Sequence, residues 1–383
     1  MAEREEKGTD DPLAVVRPIL EPMSDRELAT VTECYPAAGP FRGRLRDSGR
    51  PYSAGSLIEA TGGRYFVKKR ACGFRPRADI LWRHRVIEHL VAGGIPTPRV
   101  LADADGNTLT EREGFCYELF EAASGDDLYR EFHSWMPPTR TAHARAAGEM
   151  LARVHAALRD FPLDGVTPPG RSPATSMSAR FDLARAPDLQ AAVEARIAAS
   201  PALSDFFSGF RWKQEIGALY GDAHRELRRH LPGVAPAVTH GDWHVNNLLF
   251  DGDSVSSVID FHLCDVSFRM YDLAVALDRN GIRWLEILDG DPEAVSYDVL
   301  GELLRGYRSV LPVSLAEAEL LAVLLPVHQL DLALSNVEYY LVHERKRERA
   351  EWAYHVYLCD HARYFRTPAG QRIVGFLRHT AAA

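Results

Sequence analysis

The sequence predicts an α+β protein of two lobes, a small mixed N-lobe with an antiparallel sheet followed by a larger, mostly helical C-lobe. Three observations carry this. Residues 52–120 show the two-residue alternation of strands around one helical stretch. From residue 121 onward the apolar spacing is mostly that of amphipathic helices. At 383 residues the chain exceeds what one compact core usually holds. The expected division is a leader with a short helix over 1–49, the small lobe over 50–120 and the helical lobe over 121–383.

The leader is charged and carries a short amphipathic helix over Asp25–Cys34 with Ser24 as its cap. The Pro/Gly/Arg-rich segment 36–51 reads as a loop. Strands follow at Ser56–Ala60 and Tyr65–Lys69, joined by a turn at Thr61–Arg64. Side chains alternate along a strand, so one of Lys68 and Lys69 faces inward. A helix over Ala78–Ala92 closes at Gly93-Gly94, and further strands are expected at Arg99–Ala102 and Phe115–Phe120. In the helical lobe, periodicity predicts helices over 142–158, 187–199, 213–229, 299–310, 315–340 and 345–365, with a Pro/Gly-rich loop over 161–173.

Bulk composition narrows the class. A hydrophobic share of 46% and a charged share of 26% are those of an ordinary globular protein. The net charge of −8 provides no basic field for nucleic acid or an anionic membrane, so neither is an expected partner. No window approaches the ~20 consecutive apolar residues of a membrane span. Five scattered cysteines without a C-x-x-C pair, and an N-terminus without an apolar signal segment, fit reduced thiols in the cytoplasm.

The chemistry concentrates in residues 238–274. There a polar loop, His240-Gly241-Asp242-Trp243-His244-Val245-Asn246-Asn247, precedes a hairpin whose turn is Asp251-Gly252-Asp253. The hairpin returns the chain to Ile259-Asp260, which brings Asn247 and Asp260 side by side. A carboxylamide and a carboxylate beside a loop aspartate suit a hard cation and phosphoryl transfer. Asp242 precedes Asn247 by five residues, the interval of the kinase catalytic loop, where the Asp receives the acceptor hydroxyl proton and the Asn holds magnesium. The rival reading takes His240, Asp242 and His244 as zinc ligands of a hydrolase, completed from His143, His155, His328 or His343. A third reading makes His240 and Asp242 structural, capping nearby amides.

With these residues in view, the chain resembles the aminoglycoside phosphotransferase and choline/homoserine kinase-like superfamily, which has a protein-kinase-like fold. The resemblance rests on His240-Gly241-Asp242 with Asn247, on Ile259-Asp260-Phe261, and on Tyr271-Asp272-Leu273-Ala274. Supporting stretches are Tyr65–Lys68, Gly94–Leu101 and Ala147–His155. It implies a kinase that moves the γ-phosphate of ATP, or of GTP, to a hydroxyl of a small molecule such as an aminoglycoside-like metabolite, a sugar or an amino alcohol. Asp242 would be the catalytic base, Asn247 and Asp260 would bind Mg2+, and Lys68, with Lys69 as the alternative, would contact nucleotide phosphates. Glu121 and Ala123 fall in the hinge that binds the base, and Ser53 and Gly55 fall where the phosphate-covering loop belongs, without a G-x-G-x-x-G pattern. Two departures stand out: Trp82-Arg83-His84 occupies the place of the glutamate that pairs with the lysine, and His262 follows Asp260-Phe261 in place of glycine. A protein Ser/Thr kinase of the same fold and a non-catalytic nucleotide-binding protein are the alternatives, the former lacking an A-P-E-like segment before Asp272.

Overall fold

The computed structural model describes residues 20–50, 53–163 and 182–382. Helix α1 (Asp25–Thr32) starts where Ser24 Oγ accepts the Glu27 N–H. Strands β1 (Phe41–Arg50), β2 (Ser53–Ala60) and β3 (Gly63–Ala71) lead into α2 (Arg77–Ala92), then β4 (Thr110–Arg112) and β5 (Phe115–Glu121). They form one antiparallel sheet in the order β1-β2-β3-β5-β4. The segment expected as a loop over 36–51 therefore contains a full strand. Its arginines alternate along an edge, and such charge protects an exposed edge from further pairing. The expected strand at 99–102 is reduced to the bridge Val100–Phe120, an extended run bonded alongside β5.

One face of the sheet is covered by α1. Met23, Leu28, Val31, Tyr35 and Ala38 pack with Ile58, Tyr65, Val67, Tyr117 and Leu119 in a core of their own. The stretch expected as a separate leader up to residue 49 thus supplies an edge strand and a covering helix to the sheet from residue 20 onward.

The helical lobe comprises α3 (Thr141–Ala157), α4 (Asp182–Arg185), α5 (Leu189–Ala198), α6 (Pro201–Ser208) and α7 (Trp212–His230). After the short strands β6 (Ala237–Thr239), β7 (Leu248–Asp251), β8 (Ser254–Val258) and β9 (Asp265–Ser267) come α8 (Arg269–Gly281), α9 (Trp284–Leu288), α10 (Tyr297–Arg308), α11 (Leu315–Leu324), α12 (Leu330–Val342), α13 (Arg347–Ala353), α14 (His361–Tyr364) and α15 (Pro368–Thr380). The single helix expected over 315–340 is two, broken around Pro326, whose missing N–H cannot continue the ladder. The helix expected over 345–365 is interrupted by a π-wound segment, Tyr354–Asp360. Of the loop expected over 161–173, all beyond residue 163 lies outside the described residues.

Helices α3 and α10 approach closely through two glycines. A Cβ on Gly148 would stand 2.0 Å from the Leu303 carbonyl oxygen, and one on Gly306 would stand 1.9 Å from that of Arg145. Backbone cannot yield as a side chain tip does, so Gly306→Ala must push the helices apart. The expected cost is about 2–3 kcal/mol, read as a lower midpoint in urea with an unchanged slope.

Candidate active site

The loop of residues 240–247 is fixed from behind by α8. Asp272, fully buried on the first turn of α8, accepts the His240 N–H at 2.7 Å and the Gly241 N–H at 2.9 Å. Its Oδ2 also takes His155 Nε2 at 3.1 Å, and His155 Nδ1 meets the Tyr307 hydroxyl at 2.8 Å, so α3 and α10 support the same carboxylate. Burial pushes the Asp272 carboxyl up, but the bond from His155 and the charges and N–H groups of the loop outweigh it and hold its pKa below the ordinary value. Two turns later Asn280 accepts the Val245 N–H at 3.0 Å and donates to the Trp243 carbonyl at 3.1 Å.

The hairpin does what its sequence promised. β7 and β8 pair from Leu248–Val258 to Asp251–Ser254, and the Ile259 N–H donates to the Asn247 carbonyl at 2.9 Å. Asp260 is then the next residue, held in the left-handed region at φ 62°, a conformation uncommon for a non-glycine residue and concentrated at functional sites.

A single cavity brings together Ser53, Lys68, Asp242, Asn247 and Asp260. Lys68 Nζ and His262 Nδ1 each stand 3.0 Å from Asp260 Oδ1. Lys69 points to the opposite face, where it pairs with Glu27 at 2.6 Å, so Lys68 is the inward lysine. Asp242 lies between two cationic or proton-bearing groups, His244 Nε2 at 3.4 Å and Arg279 Nη2 at 3.3 Å. Burial alone would raise its pKa; His244 and Arg279 together hold it far below the carboxylate range.

Gly55, Glu121 and Ala123 do not line this cavity. Gly55 lies inside β2, paired with Ser48 on one side and Lys68 on the other, where the Phe66 ring leaves no room for a Cβ. Residues 51–52, between β1 and β2, lie outside the described residues. Glu121 donates its N–H to the Arg99 carbonyl, whereas Ala123 makes no backbone hydrogen bond to another of the described residues. The hinge is tied to the hairpin by Ser256 Oγ, which donates to the Ser124 carbonyl, and by the Asp126–Phe250 bridge.

Several cavity residues went unseen in the sequence. The acid that meets Lys68 is Asp260, at 3.0 Å, whereas its cross-strand neighbour Glu118 is contacted by Arg70 at 2.5 Å and by His84 of α2 at 2.9 Å. Burial raises Glu118, and Arg70 and the bond with His84 overcome it, bringing its pKa down to about 2. Glu88 is half exposed beside Arg99, and Asp79 is buried at the start of α2, where its carbonyl accepts from Arg83. Arg279 was legible in principle: it follows Asp272 by seven residues, two helical turns, and so shares its face toward the loop. Arg75, Trp135, Tyr339, Tyr340 and Tyr357 complete the outer wall, Tyr357 from the π-wound segment. No pattern in the sequence joins these distant positions.

The zinc-hydrolase set is not assembled. His240 donates Nε2–H to the Ile259 carbonyl, and its Nδ1 receives the Asp242 N–H. His155 serves Asp272, His143 bonds Tyr129 and the Gly252 carbonyl, and His343 packs on Phe74. Among the described residues the cluster compact enough for a metal is Asp278, His328 and His361, which excludes Asp242.

A small antiparallel sheet over a helical lobe, with a catalytic-type Asp, a following Asn and an Asp after a hairpin at their junction, defines a protein-kinase-like protein. Residues 52–313 match the model of the phosphotransferase enzyme family, and the chain belongs to that family. It is 30% identical to the homoserine kinase of Methylobacterium radiotolerans over 241 residues, 62% of this chain and 63% of that protein. The Brucella ovis homoserine kinase is 29% identical over 254 residues, 65% of this chain and 64% of that one. The chain thus spans less than two thirds of the length of these curated relatives. An amicoumacin kinase solved with AMP-PNP and Ca2+ superposes with a TM-score of 0.56 at 14% identity, covering 91% of this chain and 95% of that one. A microcompartment-associated aminopropanol kinase gives 0.56 at 16%, covering 92% and 99%. These likenesses establish the fold. Among the described residues no helix is long and apolar enough to cross a membrane.

Proposed function

We propose that the chain transfers the γ-phosphate of ATP to a hydroxyl group of a small molecule. The observation that carries this reading is the convergence of Asp242, Asn247, Asp260 and Lys68 on one cavity, from elements far apart in sequence. Asp242 orients the acceptor O–H and takes its proton as the new O–P bond forms and ADP leaves. A carboxylate of such depressed pKa is a weak base, which suits a loose transition state in which the proton departs late. Lys68 contacts the nucleotide phosphates. We assign residues 20–120 to the nucleotide-binding lobe and 121–382 to the catalytic lobe, with Ala123 at the hinge toward the base.

A magnesium ion fits the donors. Asn247 turns its amide N–H groups to the Asp242 carbonyl at 2.9 Å and to Asp242 Oδ2 at 3.3 Å, which leaves Oδ1, a hard oxygen, as its ligand atom, and Asp260 lines the same cavity. Bound there, magnesium would supply charge neutralisation between the phosphates. The solved neighbours carrying AMP-PNP or ADP support ATP as the donor over GTP.

The wall of the cavity bears on the acceptor. Arg70, Arg75 and Arg279 line it, while its carboxylates, Asp242 and Asp260, are both assigned to the chemistry. Among the described residues lining it no acid is left for a polycation, despite the net charge of −8. A neutral or anionic hydroxyl compound suits this lining better than an aminoglycoside, and the aromatic wall of Tyr339, Tyr340 and Tyr357 favours a compact molecule over a protein segment. The test is turnover with Mg2+ and ATP or GTP across aminoglycosides, neutral polyols, amino alcohols and hydroxy acids including homoserine. Phosphorylation of a neutral or acid acceptor with ATP is expected; preference for the polycations would contradict the acceptor assignment.

A further inference from the structure

One buried polar cluster takes no part in the chemistry above. Asp278 of α8, fully buried, meets one imidazole from the segment between α11 and α12 and another from the first residue of α14. His361 Nε2 lies 3.3 Å from Asp278 Oδ1, and His328 Nε2 lies 3.6 Å from Oδ2. The three ligand atoms all fall within 4.8 Å of one another.

The tautomer of His328 follows from its other nitrogen. Nδ1 stands 2.7 Å from the Leu325 carbonyl, which can only accept, so Nδ1 carries the hydrogen. In the neutral ring Nε2 is then a bare lone pair, buried, without a hydrogen-bond partner, and turned toward a carboxylate oxygen. Two lone pairs facing each other away from water repel, and the arrangement calls for a positive charge between them. A bridging proton would draw nitrogen and oxygen to about 2.7–2.9 Å. His361 at 3.3 Å is within reach of a hydrogen bond, but His328 at 3.6 Å is not, and both separations are close to the edge of a coordination tetrahedron, since two ligand atoms each ~2.0–2.1 Å from zinc stand about 3.3 Å apart.

The bonds around His328 and Asp278 are those that hold metal ligands in place. Leu325 fixes the His328 ring, while Trp284 Nε1 at 3.1 Å and Gln329 Nε2 at 3.0 Å donate to the two oxygens of Asp278. We propose that Asp278, His328 and His361 bind a zinc ion, at a structural site separate from the phosphoryl-transfer centre. Two imidazoles and one carboxylate suit zinc and not magnesium. The ion would clamp α8, the segment leading into α12, and α14 together under the cavity: Asp278 precedes Arg279, which pairs with Asp242, and Gln329 after His328 lines the cavity.

The untagged full-length chain should carry about one equivalent of zinc by elemental analysis after zinc loading and dialysis. Its thermal midpoint should fall on the order of 5 °C with a strong chelator and return with zinc, not with magnesium. Cobalt(II) loaded in its place should give the intense visible bands of a tetrahedral site. His328→Gln and His361→Gln should each lose the metal, whereas Asp242→Asn should keep it. A wild-type chain that retains no zinc, with a midpoint indifferent to chelator and to zinc, would leave a proton-bridged triad and overturn the proposal. Zinc retained undiminished by both histidine variants would also overturn it. Should those variants fail to fold, the chelator and cobalt readouts on the wild-type chain decide alone.

Discussion

Asp242→Asn is expected to lower turnover by roughly 10³-fold, within the range for loss of a positioned acid–base group, while nucleotide binding holds. The substitution keeps the size of the side chain and the oxygen that Asn247 contacts, so the loop should keep its shape. It removes the negative charge that His244 and Arg279 share at 3.4 and 3.3 Å, and with it the acceptor for the hydroxyl proton. Because His244 and Arg279 hold the wild-type carboxyl far below its ordinary pKa, Asp242 is ionised across the whole working range. The acid limb of the pH–rate profile should accordingly not report Asp242. Steady-state kinetics on both proteins, with nucleotide affinity measured by calorimetry, check each part.

The second large effect is on stability. Asp272→Ala strips the His240 and Gly241 N–H groups of their acceptor in a fully buried place and leaves His155 facing a void. Unsatisfied buried donors and a broken buried pair place the expected loss at about 3–5 kcal/mol. Chemical denaturation would read this as a lower midpoint. The pH dependence has a defined sign. The folded pKa of Asp272 is depressed, so its contribution is present above the unfolded value near ~3.9 and disappears as pH falls through the lower folded value. Wild-type stability should drop more steeply than that of Asp272→Ala below about pH 4.

Local signals made the candidate site legible. The five-residue interval from Asp242 to Asn247, the Gly252 turn and the return to Asp260 are all short-range features, and the structure reproduces each. The capped helix at Ser24 and the helix after Lys68 were legible for the same reason. What escaped depends on tertiary pairing. β1 looked like a loop because an edge strand needs no buried alternation, and its charged residues and glycines mimic a linker. The ion pair of Lys68 is made with Asp260, across the junction of the lobes, and its cross-strand neighbour Glu118 is set only by the β3–β5 register. Arg279 carried a periodic signal from Asp272, whereas Arg75 and Tyr357 reach the cavity through the packing of separate elements.

The central claim is transfer of a phosphoryl group from nucleotide to a small-molecule hydroxyl at Asp242. The most direct measurement is mass spectrometry of the acceptor panel after incubation with Mg2+ and ATP, wild type beside Asp242→Asn. A mass gain of one phosphoryl group on a small-molecule hydroxyl with the wild type, absent with the variant over the same time, is the predicted result. Equal product from both proteins, or bound ATP with no acceptor phosphorylated by either, would contradict the account.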